Sequence, residues 1–275
     1  MQKQDSLKKL THTLVNAPLA EQRLEACRTF VPQLVEALKV KGSFYFQFDS
    51  LREISVVYPP DSSFRIFTWA LAGDMGTYRY YGTLQQRTAN NTLRMFPFFD
   101  HSVNTAQAAD TITGPNAWVG ALYYKMIKTE YKGKTYYTLF GWQGNNMRSN
   151  KKILEALSFR NGQPVFGAPV FHYQRDSLPA ATYNRFILEY KEDGNAGLNY
   201  DPDMHMILYD HLQSLNKTPE RKYTLVPDGT YEGFKWQNGM WVHVDKVFNE
   251  VSKKPPVPAP LKFRRQVTDT TEAGQ

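Results

Sequence analysis

The sequence predicts a mainly β protein of the α+β class: antiparallel meanders and hairpins with two helices at the N-terminus. Three observations predict it. Past residue 42, apolar residues alternate with a period of two. Glycine-bearing corners recur between the alternating runs, at Lys132-Gly133, Asn161-Gly162, Asp193-Gly194, Asp228-Gly229 and Asn238-Gly239, where positive φ is wanted. Aromatic residues reach 14%, led by 17 Tyr and 17 Phe, and flat rings suit a pleated surface. The strands also fall loosely into groups of about four, so a propeller-like arrangement of four-stranded sheets is the alternative.

The helices come first. Segments 4–16 and 19–39 are helical in pattern. In the second, Leu24, Cys27, Val31, Leu34 and Leu38 recur at spacings that place them on one face. That face takes Cys27 towards the core. Pro32 lies inside the pattern and removes an i→i−4 hydrogen bond, so a kink or a split is expected there. Gly42 ends the helix. Residues 1–41 thus form a helical segment packed on a β body spanning 42–251.

In that body, Phe44, Phe46 and Phe48 open a four-stranded meander that continues through 54–58, 64–69 and 77–84. Residues 85–117 are an irregular insertion with a short helix over 103–110. An insertion of that length folds over a surface and is often functional. Strands resume at 119–131, 134–142, 151–159, 164–172, 184–191, 196–200, 204–210, 222–226, 230–236 and 240–247. Pro-Asp pairs at 60–61, 202–203 and 227–228 suit type I turns. Asn-Gly turns fix register. In "KWQNGMWV" Trp236 falls opposite Trp241, and in "LSFRNGQPVF" Leu157 falls opposite Phe166. The segment 252–275, with "KKPPVPAP", cannot donate enough backbone hydrogen bonds to join a sheet and is expected to be a flexible basic tail.

Charge and composition narrow the function. At 275 residues, 41% apolar and 21% charged, the chain is globular in character. The net charge is +7, but Lys253, Lys254, Lys262, Arg264 and Arg265 contribute +5 of it with no acid in 252–265. The body is therefore only mildly basic, and nucleic acid is not an expected partner. One cysteine permits no internal disulfide and no cysteine-based zinc site. No apolar run reaches the ~20 residues of a helical membrane span. The start, "MQKQDSLKKL", has no hydrophobic leader core, and "QDSLKK" after Met suits the mature start of an exported protein with its leader removed.

Well-marked catalytic and cofactor motifs are missing: no G-x-S-x-G elbow, Walker loop, G-x-G-x-x-G or H-E-x-x-H. No cofactor is expected. The best metal set is Asp201, Asp203, His205 and His211 in "YDPDMHMILYDH", which share a face if 201–205 are extended. The ordinary reading of Asp-Pro-Asp is a turn, which breaks that alternation. Glu130, Asp74, Glu189, Asp193 and Asp245 are scattered carboxylates, two of which would serve a glycosidase if they converged. His243 is a candidate base oriented by Asp245, or a cross-strand polar neighbour.

The stretch "YYTLFGWQGNNMRSNKK" carries the best binding candidates. Tyr136, Thr138, Phe140 and Trp142 share one strand face, and Tyr137 and Leu139 the other, so the strand is central. Gly144 to Asn150 follow as a hairpin loop longer than the minimum. It is a solvated turn, or a site where Trp142, Asn145, Asn146 and Arg148 take a sugar or an anion.

Two stretches, "YYKMIKTEYKGKTYYTLFGWQGNNMRSNKKILEALSFRNGQPVFG" and "RFILEYKEDGNAGLNYDPDMHMILYDHL" with "LVPDGTYEGFKWQNGMWVHVDKV", together resemble an uncharacterised family of β-rich, usually exported bacterial proteins. "PPDSSFRIFTW" is similar to the earlier part of that family, and the resemblance covers about 44–248. It implies an extracytoplasmic location, in the periplasm or cell envelope, and brings no established activity. The expected function is a non-catalytic binding or structural module of the bacterial cell envelope, with a protein or glycan as partner. The competing expectation is a hydrolase with a carboxylate- or His-based site under the 85–117 segment.

Overall fold

The computed structural model describes residues 2–102, 108–174 and 179–248. The Pro-rich tail lies outside the described residues, as does 103–107 of the expected short helix. Ala108–Asp110 of that helix is a single 3-10 turn. The helices are α1 (Gln2–Asn16) and α2 (Ala20–Lys39). The strands are β1 (Ser55–Val57), β2 (Phe64–Ala72), β3 (Tyr78–Gln86), β4 (Arg94–Phe98), β5 (Leu122–Tyr131), β6 (Lys134–Asn146), β7 (Ser149–Arg160) and β8 (Gln163–Phe166). They continue as β9 (Phe171–Tyr173), β10 (Ala181–Tyr183), β11 (Arg185–Lys191), β12 (Leu198–Asp201), β13 (Met206–Ser214), β14 (Leu225–Gln237) and β15 (Met240–Val244).

Three sheets result. The first has the order β1-β2-β3-β4, the central one β11-β7-β6-β5 with β8 also on β7, and the third β10-β9-β15-β14-β13-β12. Among the described strands all pairings are antiparallel except β9 with β15. The layers stack in series. α1 and α2 bury Leu7, Leu14, Phe30, Leu34 and Leu38 against Phe67, Trp69 and Leu71 on β2. The opposite face of the first sheet, with Phe64, Ile66 and Leu84, packs on Tyr123, Leu139, Ile153 and Leu157 of the central sheet. The far face of the central sheet, with Phe140, Leu154 and Ala156, packs on Phe171, Ile207, Phe234 and Trp241 of the third. Successive residues Leu139 and Phe140 point into different cores and both are 0% exposed, which makes β6 the central strand expected of a run apolar on both faces. Sheets of four, five and six strands, with no closed barrel among the described residues, match the α+β reading rather than repeated four-stranded blades.

Both register expectations hold. Trp236 pairs with Trp241, ring centroids 5.2 Å apart, a contact worth ~0.2–1 kcal/mol over an Ala pair. Leu157 pairs with Phe166. Lys132-Gly133, Asn161-Gly162 and Asn238-Gly239 have positive φ at both residues, the signature of a type I′ turn. Cys27 is buried on the core face of α2, and its thiol accepts a hydrogen bond from Trp69 Nε1 at 3.3 Å. Burial pushes the thiol pKa up, so it is a poor nucleophile.

Several expectations need correction. Residues 44–48 are not a strand: Ser43–Tyr45 is a 3-10 turn, and the fourth strand of the first sheet is β4, from within the insertion. The cause is Arg65 on β2, wholly buried, which donates to the carbonyls of Ser43 at 2.8 Å and Phe46 at 2.7 Å. Backbone acceptors that a strand would give to a neighbour turn instead to a guanidinium. The expected strands 222–226 and 230–236 are one strand, β14. Asp228-Gly229 is not a hairpin corner but part of a bulge, because Asp210 pairs with Tyr231 while Leu212 pairs with Pro227. Gly194 closes its turn onto the Lys191 carbonyl at 2.9 Å without positive φ. α2 runs unbroken through Pro32.

Candidate functional site

The β6–β7 hairpin tip forms one end of the candidate site. It is tighter than the sequence suggests. Asn146 pairs with Ser149, so only Met147 and Arg148 form the turn, and the extra residue is taken up as a bulge between Gly144 and Asn146. Asn146 Oδ1 accepts the N–H groups of Arg148 at 2.8 Å and Ser149 at 3.1 Å. Such a side-chain turn is what Asn provides in place of a longer loop. Gly144 is required because a Cβ there would lie 2.3 Å from the Tyr78 ring.

The bulge turns Asn145 towards Ser149 Oγ at 2.9 Å and Glu189 Oε1 at 3.2 Å, and Ser149 Oγ also donates to Glu189 Oε1 at 2.6 Å. This ties the tip to β11. The Arg148 guanidinium lies 3.4 Å from the centroid of the Tyr223 ring, a cation–π stack. Beside this stack opens a cleft of about 500 Å³ lined by Asn146, Arg148, Glu189, Lys222 and Tyr223, with the exposed side chains of Met75 and Met147 at its rim.

A second cleft, of about 400 Å³, adjoins the first: Glu189 and Lys222 line both. It follows β11 towards the third sheet, and Tyr173, Tyr183, Phe186 and Tyr209 wall it. The two adjoining clefts make up the candidate groove, polar and cationic at the hairpin tip and aromatic at the other end. The aromatic wall is held from behind. Tyr209 and Tyr173 hydroxyls donate to Glu232 Oε2 at 2.6 and 3.3 Å, and His243 Nε2 lies 2.8 Å from the same oxygen. His211 Nδ1 lies 2.7 Å from Asp228 Oδ2 and its Nε2 lies 3.6 Å from Glu232 Oε1. Burial pushes the Asp210 carboxyl up, against a hydrogen bond from the Gly197 N–H at 2.7 Å.

The sequence-derived candidates are thus divided. Asn146 and Arg148 line the groove, and Asn145 braces it. Trp142 lines neither cleft; it stands edge-on to Tyr78, centroids 5.5 Å apart. The proposed metal set does not form. Asp201 Oδ1 accepts the N–H groups of Asp203 and Met204, closing an ordinary turn, and His205 takes a left-handed backbone. His211 lies five residues beyond Met206 on β13, ~17 Å along the strand. Among the described residues no group of three or more His, Cys, Asp or Glu is placed to hold a metal ion. His243 is held by Glu232, which lies on β14 two residues from its register partner Phe234, and Asp245 is exposed. Glu130 pairs with Lys128 on the surface. The sequence reading missed Tyr173, Tyr183, Phe186, Tyr209 and Tyr223, which look like core aromatics. The available signal was Tyr rather than Phe at four of the five positions, since a hydroxyl on a packed ring needs a polar partner or solvent.

No protein-family model, curated protein or solved structure matches the chain.

Proposed function

We propose that this protein is a non-catalytic binding module of the bacterial cell envelope that holds a linear glycan in the groove along β11. The observation that carries the reading is a pair of adjoining clefts that share Glu189 and Lys222: the half-buried rings of Tyr173, Tyr183 and Phe186 wall one, and Asn146 and Arg148 line the other. Ring faces cover the apolar side of a sugar, and amide, carboxylate and guanidinium groups take its hydroxyls. The resemblance over 44–248 supports an extracytoplasmic location.

The hydrolase reading has less support. Glu232 and His243 have side chains only 2% and 1% exposed, too deep to meet a substrate. Beside the insertion, Asp100 spends both oxygens on the N–H groups of Tyr80 and Ser102, at 2.7 and 2.8 Å.

Calorimetric titration of the full chain with soluble linear oligosaccharides tests the proposal. Tyr183→Ala, at a half-buried position on the groove wall, is expected to weaken binding roughly tenfold, the size expected for a lost stacking contact. Absence of saturable binding by neutral and N-acetylated oligosaccharides, or a Tyr183→Ala variant that binds as well as the parent, would overturn it.

A further inference from the structure

The helical layer does not cover the first sheet completely. α1 and α2 seat on β2, where Phe67, Trp69 and Leu71 are buried. The outward residues of β3 and β4 stand beside α2 rather than beneath it. Between them lies a trough of about 620 Å³, separate from the groove along β11. Val31 and Val35, four residues apart on the flank of α2, form one wall, and Tyr81, Met95 and Phe99 form the other. Trp69 is the floor, stacked on Tyr81 with centroids 5.7 Å apart and planes within 6°. Phe99 is 55% exposed although it faces an apolar trough.

One end of the trough is polar. Arg79 lies with its guanidinium 5.5 Å from the Tyr81 ring centroid, and His101 is beside it. The nearby acid, Asp100, is engaged by two backbone N–H groups. No ion pair holds Arg79 among the described residues, and its exposed side chain lines the trough.

We propose that this trough binds one acyl chain carrying an anionic head, the chain lying over Trp69 between α2 and β4 and the head meeting Arg79. The volume suits one slender ligand, within the usual range for small-molecule sites. The walls are apolar along the length, and of the two charged side chains that line the polar end, Asp100 is engaged by backbone N–H groups while the donors of Arg79 are not engaged among the described residues. A carboxylate, as in a free fatty acid, and a phosphate, as in a lysolipid, share that chemistry.

The test is calorimetry on the full chain with dodecanoate, dodecyl phosphate and dodecyltrimethylammonium, each below its micellar concentration, and with decanoate as a shorter chain. One or both anions are expected to bind one to one. Binding of dodecanoate alone points to a free fatty acid; binding of dodecyl phosphate as well, or alone, points to a phosphorylated lipid. Each methylene removed should weaken binding about fourfold, so decanoate should bind roughly 15-fold more weakly than dodecanoate. The ammonium amphiphile should bind at least roughly tenfold more weakly than the anions, and Arg79→Ala should erase that preference. Val35→Arg should abolish binding. Phe99→Glu, at an exposed position, gives the same readout should Val35→Arg fail to fold. No saturable binding of either anion, equal affinity for the ammonium compound, or unchanged binding in the folded variants would overturn the proposal.

Discussion

Arg65 in the first sheet and Arg185 in the central sheet are both 0% exposed, and each pins an irregular stretch of chain onto a sheet, yet they are compensated in different ways. Arg185 faces Glu155 directly across the β11–β7 ladder and pairs with its carboxylate through Nε. Glu155 also receives the Tyr123 hydroxyl, which in turn accepts Trp118 Nε1 at 2.7 Å. The remaining donors of Arg185 hold the end of the insertion through the Ala108 carbonyl at 2.9 Å and the Thr111 carbonyl at 2.5 Å. Arg65 meets no carboxylate among the described residues. It donates to Gln85 Oε1, the Tyr58 hydroxyl and the carbonyls of Ser43 and Phe46. The rings of Phe48 and Phe67 each lie 4.9 Å from its guanidinium carbon. Burial pulls its pKa down, partly offset by the Tyr58 hydrogen bond, but a guanidinium keeps its proton. A buried cation can thus be held by dipoles and π faces instead of a counter-charge. The difference matters when the cation is removed: one site is left with an opposite charge and the other only with unpaired dipoles.

The largest effect follows at the paired site. Arg185→Met should cost about 3–5 kcal/mol in urea unfolding, because Glu155 is left buried and charged. Arg185→Met with Glu155→Leu should recover a good part of that loss. At the unpaired site, Arg65→Met should cost about 2 kcal/mol, the penalty for orphaned carbonyls and an amide. Equal losses for the two single variants would mean that the counter-charge makes no difference to the cost of losing the cation.

A third cation sharpens the comparison with the smallest effect. Lys152 on β7 stands between Trp142 and Leu188, half-buried, with Nζ 5.0 Å from the Tyr124 ring centroid. Burial lowers its pKa below 10.5, with Asp210 pushing back. The unfolded chain therefore holds this proton more tightly, and parent stability rises as pH climbs from the folded pKa towards 10.5. Lys152→Met should gain about 1 kcal/mol at neutral pH, with the gain shrinking through that window. A gain that grows with pH would mean that the sign of the lysine shift is wrong.

Local rules made much of this legible. The Trp236–Trp241 and Leu157–Phe166 registers follow from two-residue turns that act on the nearest neighbours in the chain. The same rules misled at Asp228-Gly229, which reads like Asn238-Gly239 but lies in a bulge facing β13. They also misled at Phe44 to Phe48, where perfect alternation is overridden by Arg65. At the candidate site, the Asn and Gly cluster at the tip was visible. The wall of Tyr173, Tyr183, Phe186 and Tyr209 was not, because an aromatic facing a cleft and one facing a core obey the same period.

By itself the sequence determined the two N-terminal helices, most of the extended segments, the Asn-Gly corners and which side chains face each other across the tightest hairpins. Those outcomes depend on φ preferences and side-chain periodicity within a few residues. Only the tertiary structure decided which extended-looking segment would stay irregular, which buried charge would have a counter-ion and which aromatics would line a groove. Those outcomes depend on partners far along the chain, 19 and 22 residues away for the carbonyls on Arg65 and 77 for the Ala108 carbonyl on Arg185. No local pattern encodes how such groups will share a donor once the sheets have stacked.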